Sequence, residues 1–85
     1  MQLDEAIESI KRYVDEGCPM EDFLTAVMAN DLMETFGRAD SSSQYIVKEL
    51  CSYIYNHVPM GLWGSYDKVK EHIHNKMKER RANTQ

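Results

Sequence analysis

"PMEDFLTAVMANDLMETFGRAD", residues 19–40, decides the fold. Phe23, Ala26, Val27, Met33 and Phe36 recur at helical spacing and form one stripe, with Leu24, Met28 and Leu32 beside it. The spacing predicts a single helix from about Pro19 to Phe36. Its apolar residues cover much of the circumference, as suits a central helix contacted on more than one side. Pro19 fits the first helical position, where its missing N–H would have no partner anyway. Glu21 and Asp22 favour the positive end of the helix dipole. Gly37 reads as the stop.

The flanking segments supply layers for this helix to pack against. Upstream, Leu3–Glu16 carries Leu3, Ile7, Ile10 and Val14 on one face, widened by Ala6 and Tyr13, with charges opposite. Gly17 can take the left-handed stop conformation, and Pro19 prevents continuation. Downstream, Asp40 or one of Ser41, Ser42 and Ser43 caps a third helix running to about His57. Ile46, Leu50, Tyr53, Ile54 and His57 mark its face, with Val47 and Cys51 alongside, and Pro59 ends it. "VPMGLWGS", residues 58–65, is too apolar for a solvated connection and reads as an ordered loop packed inward. Ser65 then caps a fourth helix, about Tyr66–Arg80, with Val69, Ile73 and Met77 as its apolar positions. The expected fold is all-α: a compact bundle of about four helices with an ordered Gly/Trp loop before the last. It forms one domain over residues 1–79, and residues 80–85 read as a flexible basic and polar tail.

The 85 residues carry a formal net charge of −4. The charge is unevenly placed: residues 1–65 hold eleven acids and four bases, residues 66–85 three acids and six bases. An acidic body disfavours nucleic acid as a partner, and the basic last helix complements its own dipole. The two cysteines, Cys18 and Cys51, are fewer than a secreted domain of this size usually carries. No secretory leader pattern opens the sequence, and no apolar run is long enough to span a bilayer. A cytoplasmic protein with free thiols is expected.

Catalysis finds little support. Cys51 and His57 do not share a helix face, and His72 and His74 point about 200° apart around a helix, so no paired metal ligands emerge. Cys51 reads as a small buried hydrophobe. Cys18 lies at a helix start but without an activating base. Most acids lie on solvent faces, and no phosphate-binding glycine loop is present. The expectation is a protein that is not an enzyme, with no catalytic residue, metal or cofactor.

The candidate binding residues are Asn30, Asp31, Arg38, Asp40, Tyr45 and Trp63. Arg38 either pairs locally with Asp31 or Asp40, as a planar guanidinium suits, or faces outward in a charged patch for a partner. Trp63 is either a core plug or an interface anchor. Five tyrosines and six methionines give an adaptable, amphipathic inventory suited to interaction surfaces. One alternative is a DNA-binding regulator using a helix-turn-helix-like pair at residues 20–57, with Ser41–Tyr45 near base edges. Asp40 and Glu49 flank that surface, and only Arg38 and Lys48 are available for phosphates. A weaker alternative is a small-ligand or nucleotide binder.

Taken together, "FLTAVMANDLMETFGRAD" (23–40) and "YNHVPMGLWGSYDKVKEHI" (55–73) resemble a family of small proteins of tailed bacteriophages. The family pattern runs from Phe-Leu-x-Ala-Val through Asn-Asp-Leu to Gly-Arg-Ala-Asp, then Tyr-Asn-x-x-Pro and Trp-Gly-Ser. The matching positions are Phe23, Leu24, Ala26, Val27, Asn30, Asp31, Leu32, Gly37, Arg38, Ala39, Asp40, Tyr55, Asn56, Pro59, Trp63, Gly64 and Ser65. The resemblance implies a phage origin and the cytoplasm of the infected host, and it brings no catalytic residue. By analogy of context, a short acidic phage protein suits binding to a host or defence protein, including inhibition of a CRISPR effector. A homodimer is a further option, and no membrane partner is expected.

Overall fold

In the computed structural model, which describes residues 1–83, the segment 19–40 folds as two helices rather than one. The chain forms α1 (Leu3–Glu16), α2 (Asp22–Met28), α3 (Leu32–Arg38), α4 (Val47–His57) and α5 (Tyr66–Asn83), with 3₁₀ turns at Ser43–Ile46 and Met60–Leu62. No strand occurs among the described residues. The all-helical class stands, and the five α-helices among the described residues are close to the about four expected.

Asn30 and Asp31 make the break. Asn30 sits at φ 60°, in the left-handed region. Asparagine is one of the few side chains that tolerates this conformation, which ends many helices. The Asn30 N–H donates back to the Val27 carbonyl at 3.1 Å and the Asp31 N–H to the Ala26 carbonyl at 3.0 Å. These bonds satisfy the last carbonyls of α2. Asp31 then opens α3, its carboxylate accepting the Glu34 N–H at 3.2 Å. The Thr35 hydroxyl donates to the Asp31 carbonyl at 2.7 Å. Asn30→Gly should therefore leave stability unchanged or raise it slightly. Asn30→Ala should cost about 1–2 kcal/mol, and urea unfolding followed by circular dichroism measures both.

The break overturns the expected stripe. Phe23, Leu24, Ala26, Val27 and Met28 are buried, while Leu32, Met33 and Phe36 are 67%, 82% and 50% exposed. A residue at positive φ turns the helix axis, so a 3.6-residue period cannot be carried across it. Gly37 is also corrected: it lies inside α3, which ends after Arg38, where Ala39 is extended. The central role holds for α2, which packs against α3, α4 and α5.

The remaining elements follow their sequence signals closely. α1 buries Ala6, Ile10 and Tyr13. Gly17, at φ 70°, ends it, with the Gly17 and Cys18 N–H groups donating to the Tyr13 and Arg12 carbonyls. Asp40 is the capping side chain before α4: one carboxylate oxygen accepts the N–H of Ser42 at 3.0 Å and of Ser43 at 2.7 Å. A 3₁₀ turn precedes α4 proper, which buries Leu50 and Ile54. Cys51, expected inside, is exposed.

The loop 58–65 is tied at several points. The Tyr13 hydroxyl donates to the Leu62 carbonyl at 2.7 Å, and burial pushes that phenol up to about 12. The Trp63 indole N–H donates to the Val58 carbonyl at 3.2 Å. Gly64, at φ 116°, donates its N–H to the Met28 carbonyl at 2.7 Å. Val58 is buried, but Met60 points outward at 76% exposure, so inward packing holds for only part of the loop. Ser65 accepts the Lys68 N–H at 3.2 Å and caps α5. α5 docks through Val69, which is buried, and the half-buried His72 and Ile73. The His72 Nε2 lies 2.8 Å from the Tyr13 carbonyl and 3.1 Å from that of Val14. Both partners are acceptors, so this nitrogen carries the proton. α5 continues through Asn83, so residues 80–83 of the expected tail are helical; residues 84 and 85 lie outside the described residues.

Candidate interaction surface

The polar cluster divides into three separate arrangements. Arg38 pairs with neither Asp31 nor Asp40. Its Nε lies 3.1 Å from Glu34, one turn earlier in α3, and its Nη1 3.4 Å from Asp22 at the start of α2. Both carboxylates raise the guanidinium's affinity for its proton, Glu34 foremost. The pairs are open to solvent, where such bridges contribute little. Asp31 instead accepts a hydrogen bond at 2.8 Å from the Tyr66 hydroxyl, which fastens the α2–α3 break to the start of α5. That bond, ahead of other causes, raises the Tyr66 pKa. Asp40 lies apart, holding the serine turn. The Ser43 and Ser42 hydrogen bonds keep its carboxyl well below the usual range. Its other oxygen lies 3.5 Å from the Met1 ammonium. Tyr45, in the 3₁₀ turn, is 77% exposed.

Asn30, Asp31 and Trp63 do come together, on a groove between the α2–α3 break and α4. Val27, Asn30, Cys51, Ile54, Tyr55 and Trp63 line a cavity of about 160 Å³. A smaller cavity of about 60 Å³ adjoins it, sharing Val27, Asn30 and Cys51 and reaching Asp31, Leu32, Thr35 and Val47. Val47, Cys51 and Tyr55 are spaced four apart on α4, so one helical stripe forms the groove's wall. Tyr55 and Trp63 close one end, with ring centroids 6.4 Å apart. Leu32 closes the other and leads onto exposed Met33 and Phe36.

Cys51 and the α3 triplet were not singled out from sequence as site residues. The signal for Cys51 was present in the 47/51/55 spacing. Partial desolvation pushes its thiol pKa up, which makes it a poor nucleophile. Among the described residues no three His, Cys, Asp or Glu side chains converge as a metal site, and no helix is long and apolar enough to cross a membrane. Comparison of the chain with protein-family models, curated proteins and solved structures finds no match.

Proposed function

We propose that the chain acts by binding another protein through the groove and the outward face of α3. In this reading it is a small phage-type helical protein that occupies a host or defence protein in the bacterial cytoplasm, with CRISPR effectors among the candidate targets. The phage setting rests on the resemblance of residues 23–40 and 55–73. The mode of action rests on one observation: Leu32, Met33 and Phe36 are exposed together beside an apolar groove. Large adjacent apolar side chains in water mark interaction surfaces.

Affinity capture from host lysate with wild type and Phe36→Glu tests it. Phe36 is half exposed, so the variant should fold normally. Loss of an interface anchor should weaken capture of a specific protein by roughly 10- to 100-fold. Unchanged capture by Phe36→Glu would move the interaction elsewhere. A shift of duplex DNA at physiological salt, fading steeply as salt rises, would overturn the reading in favour of a DNA-binding regulator.

A further inference from the structure

The two adjoining cavities at the α2–α3 break are unlike each other, and they share Val27, Asn30 and Cys51. The larger, about 160 Å³, has Val27, Ile54, Tyr55 and Trp63 as its apolar walls. Val27 and Ile54 are buried. The Trp63 indole is held by its hydrogen bond to the Val58 carbonyl, so that wall stands before any ligand arrives. An apolar cavity of about 150 Å³ holds one benzene ring, so a single unfused ring matches this one. Tyr55 and Trp63 offer ring faces and edges to such a guest.

The smaller cavity, about 60 Å³, has room for a group of few atoms. Asp31 lines it and is the only charged residue around either cavity. The Asp31 carboxylate accepts from the Glu34 N–H and the Tyr66 hydroxyl. A carboxylate has about four acceptor positions, so it can accept again. Asn30 stands where the cavities join, exposed, with its carboxamide engaged by no other described residue. One negative charge, one carboxamide oxygen and two aromatic rings together favour a cation.

We propose that the two cavities form one binding site for an arylethylammonium ion. The aromatic ring occupies the larger cavity. The ammonium, two carbons away, donates to the Asn30 Oδ1 and the Asp31 carboxylate. The inference stands on cavity size and charge, and it holds whether or not the outer face of α3 binds a protein. The same chemistry has two sources. One is a free amine such as 2-phenylethylamine. The other is the N-terminal phenylalanine of a polypeptide, whose ring and ammonium have the same two-carbon spacing. The site is open on the side of exposed Tyr55, which leaves the small amine with a Kd of about 1–10 mM.

Trp63 is the only tryptophan, so its indole N–H gives a single magnetic resonance signal inside the site. Titrating the isotope-labelled full chain near neutral pH with 2-phenylethylamine should move that signal saturably, with a Kd in the stated range. The alcohol 2-phenylethanol should bind roughly 3-fold more weakly and 3-phenylpropionate roughly 10-fold more weakly. Asp31→Asn keeps a capping side chain and should erase the preference for amine over alcohol. Cys51→Leu fills the junction from an exposed position on α4; it should remove binding of all three compounds and leave the helical spectrum unchanged. The tripeptide amide Phe-Gly-Gly separates the sources: tighter binding than 2-phenylethylamine assigns a chain terminus, and weaker binding assigns a free amine. No saturable shift by about 50 mM, equal binding of amine and 3-phenylpropionate, an amine preference that survives Asp31→Asn, or binding that survives Cys51→Leu would each overturn the proposal. Protein capture by Phe36→Glu decides the functional reading separately, because Phe36 lines neither cavity.

Discussion

Leu24→Ala should destabilise the fold by about 2–5 kcal/mol, whereas Leu32→Ala should cost less than about 1 kcal/mol. The two leucines are the same residue type, eight positions apart, in a segment whose periodicity places both beside one stripe. Leu24 is fully buried and Leu32 is 67% exposed. Removing Leu24's methyl groups leaves a cavity among α2's neighbours, which cannot fully collapse. Removing those of Leu32 mainly takes exposed apolar surface out of water. For a domain whose total stability is about 5–10 kcal/mol, the first loss shifts the urea midpoint far down and the second barely moves it. Equal losses at both sites would mean that the helix runs unbroken through Asn30 and that α3's apolar face is inside.

The contrast shows why the sequence was legible in some places and not in others. α1 was readable to the residue because its stripe and its glycine stop agree: Leu3–Glu16 is the expected and the observed span. In residues 19–40 two signals compete. The apolar period runs on through Phe36, but Asn30 and an Asp31-x-x-Glu34 capping pattern say that one helix ends and another begins. Tertiary burial decides it: α1 and α2 together pack against α4 and α5, and α3's outer arc stays exposed. The Arg38–Glu34 pair could have been read from i,i+4 spacing. The Asp22 contact and the Asp31–Tyr66 bond could not, because they join residues 16 and 35 positions apart. The groove was half legible, since the 47/51/55 stripe lies in the sequence but the helix facing it comes only from the break.

Gly17→Ala should cost about 2–5 kcal/mol, from two separable causes. Gly17 sits at φ 70°, where a side chain costs roughly 1–2 kcal/mol. It also lies against α5: a Cβ placed there would overlap the Lys76 side chain, with Lys76 Cγ only 2.8 Å away. Forcing α1 and α5 apart to relieve that overlap adds about 1–3 kcal/mol. Gly17→Asn separates the causes, because asparagine tolerates the left-handed backbone but still carries the colliding Cβ. It should recover only the backbone part. Lys76→Gly should itself cost about 1 kcal/mol in an exposed helix, yet it should shrink the penalty of Gly17→Ala when the two are combined. A thermal-melt double-mutant cycle reads this coupling directly. Coupling near zero would leave backbone strain as the whole effect, and the end of α1 would then not press on α5. Strong coupling makes Gly17 more than a helix stop: its missing side chain lets the last helix lie close over the first.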